Sequence, residues 1–483
     1  MTPAPGAPAP AAALATGAPA TSGFAGNAQP PQLDALGPKG PYRARNRLTV
    51  TDVTGAPAAE LSMVPGVFVH RTLTALRRAA PLSPDERAAA LVRAAELFST
   101  GTVAGRSVAE HEHLVSRVGG VPVGVVRTAT QAIATRLAAA YDSARRARPQ
   151  GAADDWRDPL TRAGRAVWAR RGEVFAVNAA GNHPGTHSLW PEALALGFRV
   201  AVRPSRREPF TPHRLITALR SAGFGPDQVA LLPTGHDLAG ELLNGADLGM
   251  VYGGDDVVRR HHAERTVLTQ GPGRSKILLT ADVDWRDHLD TIVDSVSHHG
   301  GTGCVNATAV LVEGDPEPLC EALAERLGHL PALAPDHDEA VLPVQPVATA
   351  RAFATHLAGR AAGTRPWLGA DGVVAELGDG SAALRPAVHQ TDRPDAPQLG
   401  VELPFPCVWV APWTPDAGVA VLRHSLVLTV LTRQEELIDR LLDEPTIGNV
   451  YVGDVPTYRI APGLPHDGFL GDFLMRTKAV VRT

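Results

Sequence analysis

The stretch HHGGTGCVNATAVLV, His298 to Val312, sets one of only three cysteines among glycines, beside two histidines and just ahead of a strand-like run. A thiolate is a nucleophile and an imidazole is a base that can generate one, so this grouping suits covalent chemistry at a carbonyl or acyl carbon. A free cysteine is as readily a buried packing residue. Three features set Cys304 apart. Gly300, Gly301 and Gly303 precede it and are expected to leave the backbone open to a substrate. It falls in a loop between helix-like and strand-like segments, where function concentrates. Cys320, in EPLCEALAERL, and Cys407, in PFPCVWV, lack such neighbours and read as packing. His298 and His299 have two readings: a base for Cys304, or cationic residues closing the helix WRDHLDTIVDSVSHH and complementing its dipole. His183, His187 and the His261-His262 pair make no recognisable ligand spacing, so no metal is expected.

The elements that must position this loop follow from periodicity and punctuation. RLTVTDVTG alternates like a strand. SPDERAAALVRAAELFS opens with Ser83 as a cap and Pro84 at the first helical position, and its apolar spacing is that of an amphipathic helix. From Val174 onward, strands such as EVFAVNAAG and FRVAVRPS alternate with helices such as TPHRLITALRSAG, which predicts a parallel sheet covered on both faces. Ligands of such sheets sit at the carboxyl ends of the strands, here the loops NAAGNHPG, RPSRREP, PTGHD and YGGDD. No G-x-G-x-x-G fingerprint occurs. A second α/β stretch runs from KILLTADVDW through the cysteine loop to GNVYVGD.

Composition removes several classes of function. A formal charge of −4 argues against nucleic-acid binding by bulk charge. No apolar run is long enough to span a membrane. Three widely spaced cysteines are not a disulfide framework, and a reducing cytoplasm fits them. Residues 1–45, rich in Ala, Pro and Gly, have little to bury and read as a disordered tail.

Taken in order, these segments resemble the aldehyde dehydrogenase superfamily over most of the chain from Asn46. VNAAGNHP resembles its strand-then-Asn-Pro segment, VRPSRREPFTP its adenosine-ribose loop, SAGFGPDQVALLPTG the strand and turn that follow, and VYGGDD the turn under the pyrophosphate. GPGRSKILLTADVDW resembles the ELGGKSPNII region, GGTGC the nucleophile loop, VELPFPC the EEIFGP segment and PHDGFLGD the PFGG segment. The resemblance implies two doubly wound parallel-sheet α/β domains with a β-arm for oligomerisation. The nicotinamide cofactor domain would be residues 46–150 and 173–270, the catalytic domain 271–450, and the arm 151–172 with 471–483. It further implies Cys304 as nucleophile, Asn182 in an oxyanion hole, and cofactor contacts from Arg203, Ser205, Arg206, Gly235, Gly253, Gly254 and Glu402. A homodimer or homotetramer follows by the same resemblance.

The departures carry information. Arg203 stands where the family has lysine and can still aim a cation at a ribose hydroxyl or phosphate. Arg206 replaces the glutamate that selects NAD, with Arg207 beside it; the cofactor is NADP or NAD, and paired arginines favour the 2′-phosphate of NADP. Hydrolytic members carry a general-base glutamate where this chain has Leu268, Thr269 or Gln270, none of which accepts a proton at neutral pH. In the family such a loss accompanies acylating members, which exchange the acyl group with a thiol such as coenzyme A or a carrier arm. The substrate is then an aldehyde or an acyl thioester, interconverted through Cys304. Two alternatives stand: aldehyde oxidation to the free acid, with His299 or a bound water as base, and a Cys/His acyltransferase or non-redox scaffold.

Overall fold

The computed structural model describes residues 30–482. Two seven-stranded sheets organise it. The first runs in the order Val267–Gln270, Leu248–Tyr252, Val174–Asn178, Arg199–Arg203, Val229–Leu231, Ala35–Gly37, Gly40–Tyr42. Its first five strands are parallel. Strand Val174–Asn178 is buried throughout, so its period-2 alternation serves two cores. Phe175 and Val177 pack with Leu91, Phe98, Ile133 and Leu215 on one face. Val174 and Ala176 pack with Val69, Leu73 and Leu242 on the other.

One helix on these faces starts where its local chemistry places it. Pro84–Thr100 begins with a reciprocal cap: the Glu86 N–H donates to Ser83 Oγ at 3.2 Å, and the Ser83 N–H donates to Glu86 Oε2 at 2.7 Å. Val123–Arg145 packs along it.

The sequence-based tail extends too far. Leu33, Ala35 and Leu36 are buried, and Ala35–Gly37 pairs antiparallel with Val229–Leu231 to extend the first sheet, which is therefore mixed rather than purely parallel. Proline and glycine exclude helix here, but short strands tolerate them at a sheet edge. The rest of the expected tail, residues 1–29, lies outside the described residues.

The second sheet has the order Arg365–Leu368, Ala387–Gln390, Cys407–Trp413, Ala307–Glu313, Ser275–Leu279, Ser425–Leu431, Ile447–Val452. Only its first strand is antiparallel. Ile277, Val310 and Val410 face the helices Leu289–Ser297 and Glu317–Gly328, while Leu278, Leu311 and Trp409 face the opposite core. Cys320 and Cys407 are buried in these cores as packing residues. A separate three-stranded sheet joins Ala152–Ala153, Arg165–Arg170 and Met475–Val480. Among the described residues no helix is long and apolar enough to cross a membrane.

Candidate active site

Cys304 sits in the turn that feeds the central strand Ala307–Glu313. Asn306 clamps that turn. Its Oδ1 accepts from the Gly303 N–H at 2.9 Å, and its Nδ2 donates to the carbonyls of Ser295 (3.1 Å) and His298 (2.7 Å) at the preceding helix end. The Ser275 hydroxyl donates to the Cys304 carbonyl at 3.0 Å. Asn182 Nδ2 donates to the Thr302 carbonyl at 3.1 Å, which brings the expected oxyanion donor onto the loop of the expected nucleophile. The glycines have a different purpose from the one expected. Gly300 and Gly301 are buried at φ 69° and 65°, and a Cβ on Gly301 would stand 2.4 Å from the Pro406 nitrogen. They allow a left-handed turn and a close backbone crossing, not substrate access.

The histidines sort differently from the sequence reading. His299 is itself left-handed, at φ 54°, and its ring lies between those of His183 (centroids 4.8 Å) and His298 (3.8 Å), with Tyr458 stacked on His298 at 3.6 Å. Its Nε2 is buried without a hydrogen bond, and burial beside two other imidazoles pushes its pKa down to about 2. Burial likewise holds His298 at about 4, so neither ring is the cation that would complement a helix dipole. The imidazole that reaches the thiol is His466, whose Nε2 lies 3.7 Å from Cys304 Sγ. Burial pushes the Cys304 thiol up to about 12, with the Glu402 and Asp467 carboxylates adding to it while backbone N–H groups of Cys304 and Val305 pull the other way. Glu402 is thus beside the nucleophile; its carboxylate accepts from the Arg274 N–H at 3.0 Å.

The carboxyl ends of four adjacent strands in the first sheet present Gln270, Tyr252, Asn178 and Arg203 side by side. Gln270 Nε2 and Asn178 Oδ1 are buried there without partners, which suits a bound group offering both an acceptor and a donor, as a carboxamide does. Farther along, Arg203 is buried and its Nε donates to Thr234 Oγ1 at 3.1 Å, with Nη2 on the Thr234 carbonyl and near His236 Nδ1. It therefore braces the neighbouring loop through Nε and Nη2. Arg207 is also committed, to Gly119 O and Gln345 Oε1, both at 2.8 Å. Arg206 is exposed and makes no hydrogen bond among the described residues. Ser205 Oγ accepts from the Arg207 N–H and abuts Gly181, where a Cβ would come within 2.3 Å of it. Gly235 is similarly crowded: a Cβ there would stand 2.1 Å from Asp237 Oδ1. Gly253 and Gly254 precede the helix Asp255–His261, and Gly254 faces open space. The first turn of that helix carries Asp255 and Asp256, which would repel a phosphate, but Arg274 pairs with both oxygens of Asp255 at 2.7 and 2.6 Å.

Comparison with known proteins decides the lineage: the sequence profile of the aldehyde dehydrogenase family matches residues 67–471. The chain belongs to the aldehyde dehydrogenase family. Malonate-semialdehyde dehydrogenase 1 of Geobacillus kaustophilus is 22% identical over 158 residues, covering 31% of this chain and 32% of that protein. Aldehyde dehydrogenase 1A1 of Equus caballus is 28% identical over 144 residues, covering 27% and 28%. The match thus spans about a third of the length of these curated relatives. The NAD-dependent aldehyde dehydrogenase of Sinorhizobium meliloti superposes with a TM-score of 0.78 at 20% identity, covering 94% of this chain and 95% of that one.

Within this family fold, the three residues expected at the general-base position occupy the strand Val267–Gln270. Leu268 packs against the main core, whereas Gln270 ends the strand, buried, level with Tyr252. Of the three, Gln270 is therefore the one that lies at the strand ends beside Tyr252 and Asn178. Sequence reasoning missed two residues. Asn306, two places after the cysteine, had a signal available in the G-C-x-N spacing of an Asx-type clamp. His466 is 162 positions away, in the segment PHDGFLGD, whose resemblance to the PFGG segment assigns its histidine no role. Among the described residues no group of three His, Cys, Asp or Glu could hold a metal ion.

Proposed function

We propose that this protein is a nicotinamide-dependent oxidoreductase that interconverts an aldehyde and an acyl thioester through Cys304. One observation carries the reading: Asn182 Nδ2 donates to the Thr302 carbonyl on the loop of Cys304, while the buried residue that ends the strand expected to carry the general base is the amide Gln270. A thiol acceptor needs less activation than water does, so losing the carboxylate costs acyl transfer less than hydrolysis. The dinucleotide would be held by Asn178 and Gln270 at its carboxamide end, by Gly253 and Gly254 in the middle, and by Arg206 at its ribose end. Glu402 is the candidate for the nicotinamide ribose. Bound there, the nicotinamide supplies or accepts a hydride.

The chain's own residues do the rest. Cys304 sulfur bonds to the carbonyl carbon, and the Asn182 amide with a backbone N–H steadies the oxygen as it gains charge. Clamping by Asn306 and Ser275 fixes the sulfur's position before the reaction. The acyl group then leaves to coenzyme A or a carrier thiol. The arm Arg165–Arg170 with Met475–Val480 would meet a second copy, giving a dimer or tetramer, and Trp156 and Leu160 beside it are exposed.

A second reading is oxidation to the free acid, favoured by the imidazole of His466 beside the thiol. The deciding experiment follows nicotinamide absorbance with an acyl-CoA plus NADPH or NADH, and with an aldehyde plus oxidised cofactor in the presence and absence of thiol. Acyl-CoA reduction supports the proposal. Fast thiol-free oxidation supports the second reading, and no absorbance change in any arm favours a non-redox acyl transferase.

A further inference from the structure

We infer that His466 is the residue that carries the proton of Cys304 during bond formation to sulfur. The inference rests on the reading that Cys304 is the nucleophile and names the base that reading lacks. Geometry supplies the first ground: Nε2 of His466 is 3.7 Å from Sγ, whereas the sequence-adjacent His299 is locked in a stack with His183 and His298. The loop of His466 supplies the second. Asn449, in the edge strand Ile447–Val452, donates from Nδ2 to the His466 carbonyl at 2.6 Å and to the Leu426 carbonyl at 2.9 Å, tying the imidazole's backbone to the catalytic sheet. Nε2 is the ring nitrogen that meets the sulfur, and it can accept a proton in the tautomer that carries its hydrogen on Nδ1, which has no protein partner among the described residues.

Electrostatics explains why a base is needed. The ionisable groups around the pair are Arg136 from the helix Val123–Arg145, Tyr252 from the first sheet, Glu402, and Asp467 beside the imidazole. Burial raises the thiol and lowers His466 to about 4, so the resting pair is neutral imidazole and protonated sulfur. Such a thiol does not ionise by itself near neutrality; the proton must leave as the new bond forms. Gln270 cannot take it, and among the described residues no hydrogen bond joins Glu402 or Asp467 to the sulfur, whereas Nε2 of His466 lies 3.7 Å from it.

The proton balance is simple. As the Cys304 sulfur bonds to the aldehyde carbon, the carbonyl π pair moves to oxygen and the S–H proton passes to His466 Nε2. A bound oxidised nicotinamide would accept the hydride that the carbon loses; Cys304 then carries a thioester, and His466 releases its proton to solvent. In the transfer step the acceptor thiol gives its proton to the same nitrogen as its sulfur takes the acyl carbon. The Cys304 sulfur departs and recovers that proton.

The test needs neither substrate nor cofactor. The rate at which iodoacetamide alkylates Cys304 is measured against pH in the full-length protein and in His466→Gln, His466→Asn and His466→Ala, with Cys304→Ala as the blank and thermal melting as the folding control. In the wild type the rate should be level across neutral pH, following the neutral imidazole. In the Gln and Asn variants it should fall by about 10²–10⁴ at neutral pH and climb with alkalinity towards the thiol's own ionisation. Added imidazole should restore part of the rate in His466→Ala. An unchanged pH profile in a folded Gln or Asn variant overturns the inference, as does a His466→Ala rate that free imidazole leaves unmoved. If the alkylation profile follows His466 but no acyl thioester is reduced, the proposed function fails and the role of His466 stands.

Discussion

Gly273 lies so tightly against Cys304 that a Cβ on it would stand 1.7 Å from the Cys304 carbonyl oxygen. The obstacle is backbone, which cannot swing aside. The carbonyl is also the acceptor of the Ser275 hydroxyl. Gly273→Ala must therefore push the nucleophile loop out of register. A displacement of that size should lower kcat by about 10²-fold or more while leaving KM for the dinucleotide within a few-fold, because the first sheet is untouched. Steady-state kinetics on the purified variant checks this; full activity would show that the loop can relax at no cost.

Cys304→Ala should abolish turnover and leave cofactor affinity nearly unchanged, since Cys304 sits in a turn of the second sheet while Arg206 and Gly254 belong to loops of the first. Fluorescence titration with NADPH and NADH, alongside the activity assay, separates the two effects. Wild-type turnover in this variant would make Cys304 a structural residue.

Without an acceptor thiol, aldehyde oxidation should show a burst of reduced cofactor equal to the enzyme present, then a steady state lower by roughly 10²–10⁴ than with thiol. Gln270→Glu should raise the thiol-free rate, because Gln270 is the buried residue at the strand's carboxyl end. The same change at Leu268 should only damage the core it packs into. A burst-free, thiol-independent rate in the wild type would point to hydrolysis as the native outcome.

Arg206→Glu should move preference from NADPH towards NADH. Arg206 is the one guanidinium of the three in this loop not already bonded to protein among the described residues, so a change at Arg207 should cost stability rather than selectivity. The ratio of kcat/KM for the two cofactors is the measurement, and an unchanged ratio would mean that Arg206 merely faces solvent.

Stability should fall in acid. Burial lowers His111 and His187 from 6.5 to about 3, so between those values the unfolded chain binds more protons than the folded one. Stability is then complete above the unfolded pKa and declines as pH drops towards the folded pKa, by up to about 1.4 kcal/mol per pH unit for each such histidine. Glu192, pushed up to about 7 by burial, acts in the opposite sense and offsets part of the decline. Melting temperature should fall as pH drops below 6.5, because two histidines outweigh one carboxyl, and His187→Gln should flatten the slope. His187 Nδ1 accepts from Trp190 Nε1 at 3.2 Å, a bond that a glutamine carbonyl can replace.

Local signals in the chain were enough for much of this protein. The Ser83–Glu86 cap, the alternation in Val174–Asn178 and the position of Cys304 before a strand each depend on neighbours a few residues apart, and each is where the pattern places it. Asn182 was singled out through resemblance, and its amide donates to the Thr302 carbonyl on the Cys304 loop. What the folded state alone decided involves residues that meet only when distant loops converge. Arg203 and Arg207 look alike in a linear reading, yet backbone carbonyls of other segments claim both, whereas none among the described residues claims Arg206. Gly300 and Gly301 look like open access, but the chain entering Cys407–Trp413 crosses against Gly301. His299 is five residues from the cysteine and stacked between His183 and His298, while His466 is 162 positions away and in contact with its sulfur. Periodicity and capping report the free energy of a turn or a strand; which imidazole meets a thiol is set by packing between the two sheets, to which no short stretch of sequence has access.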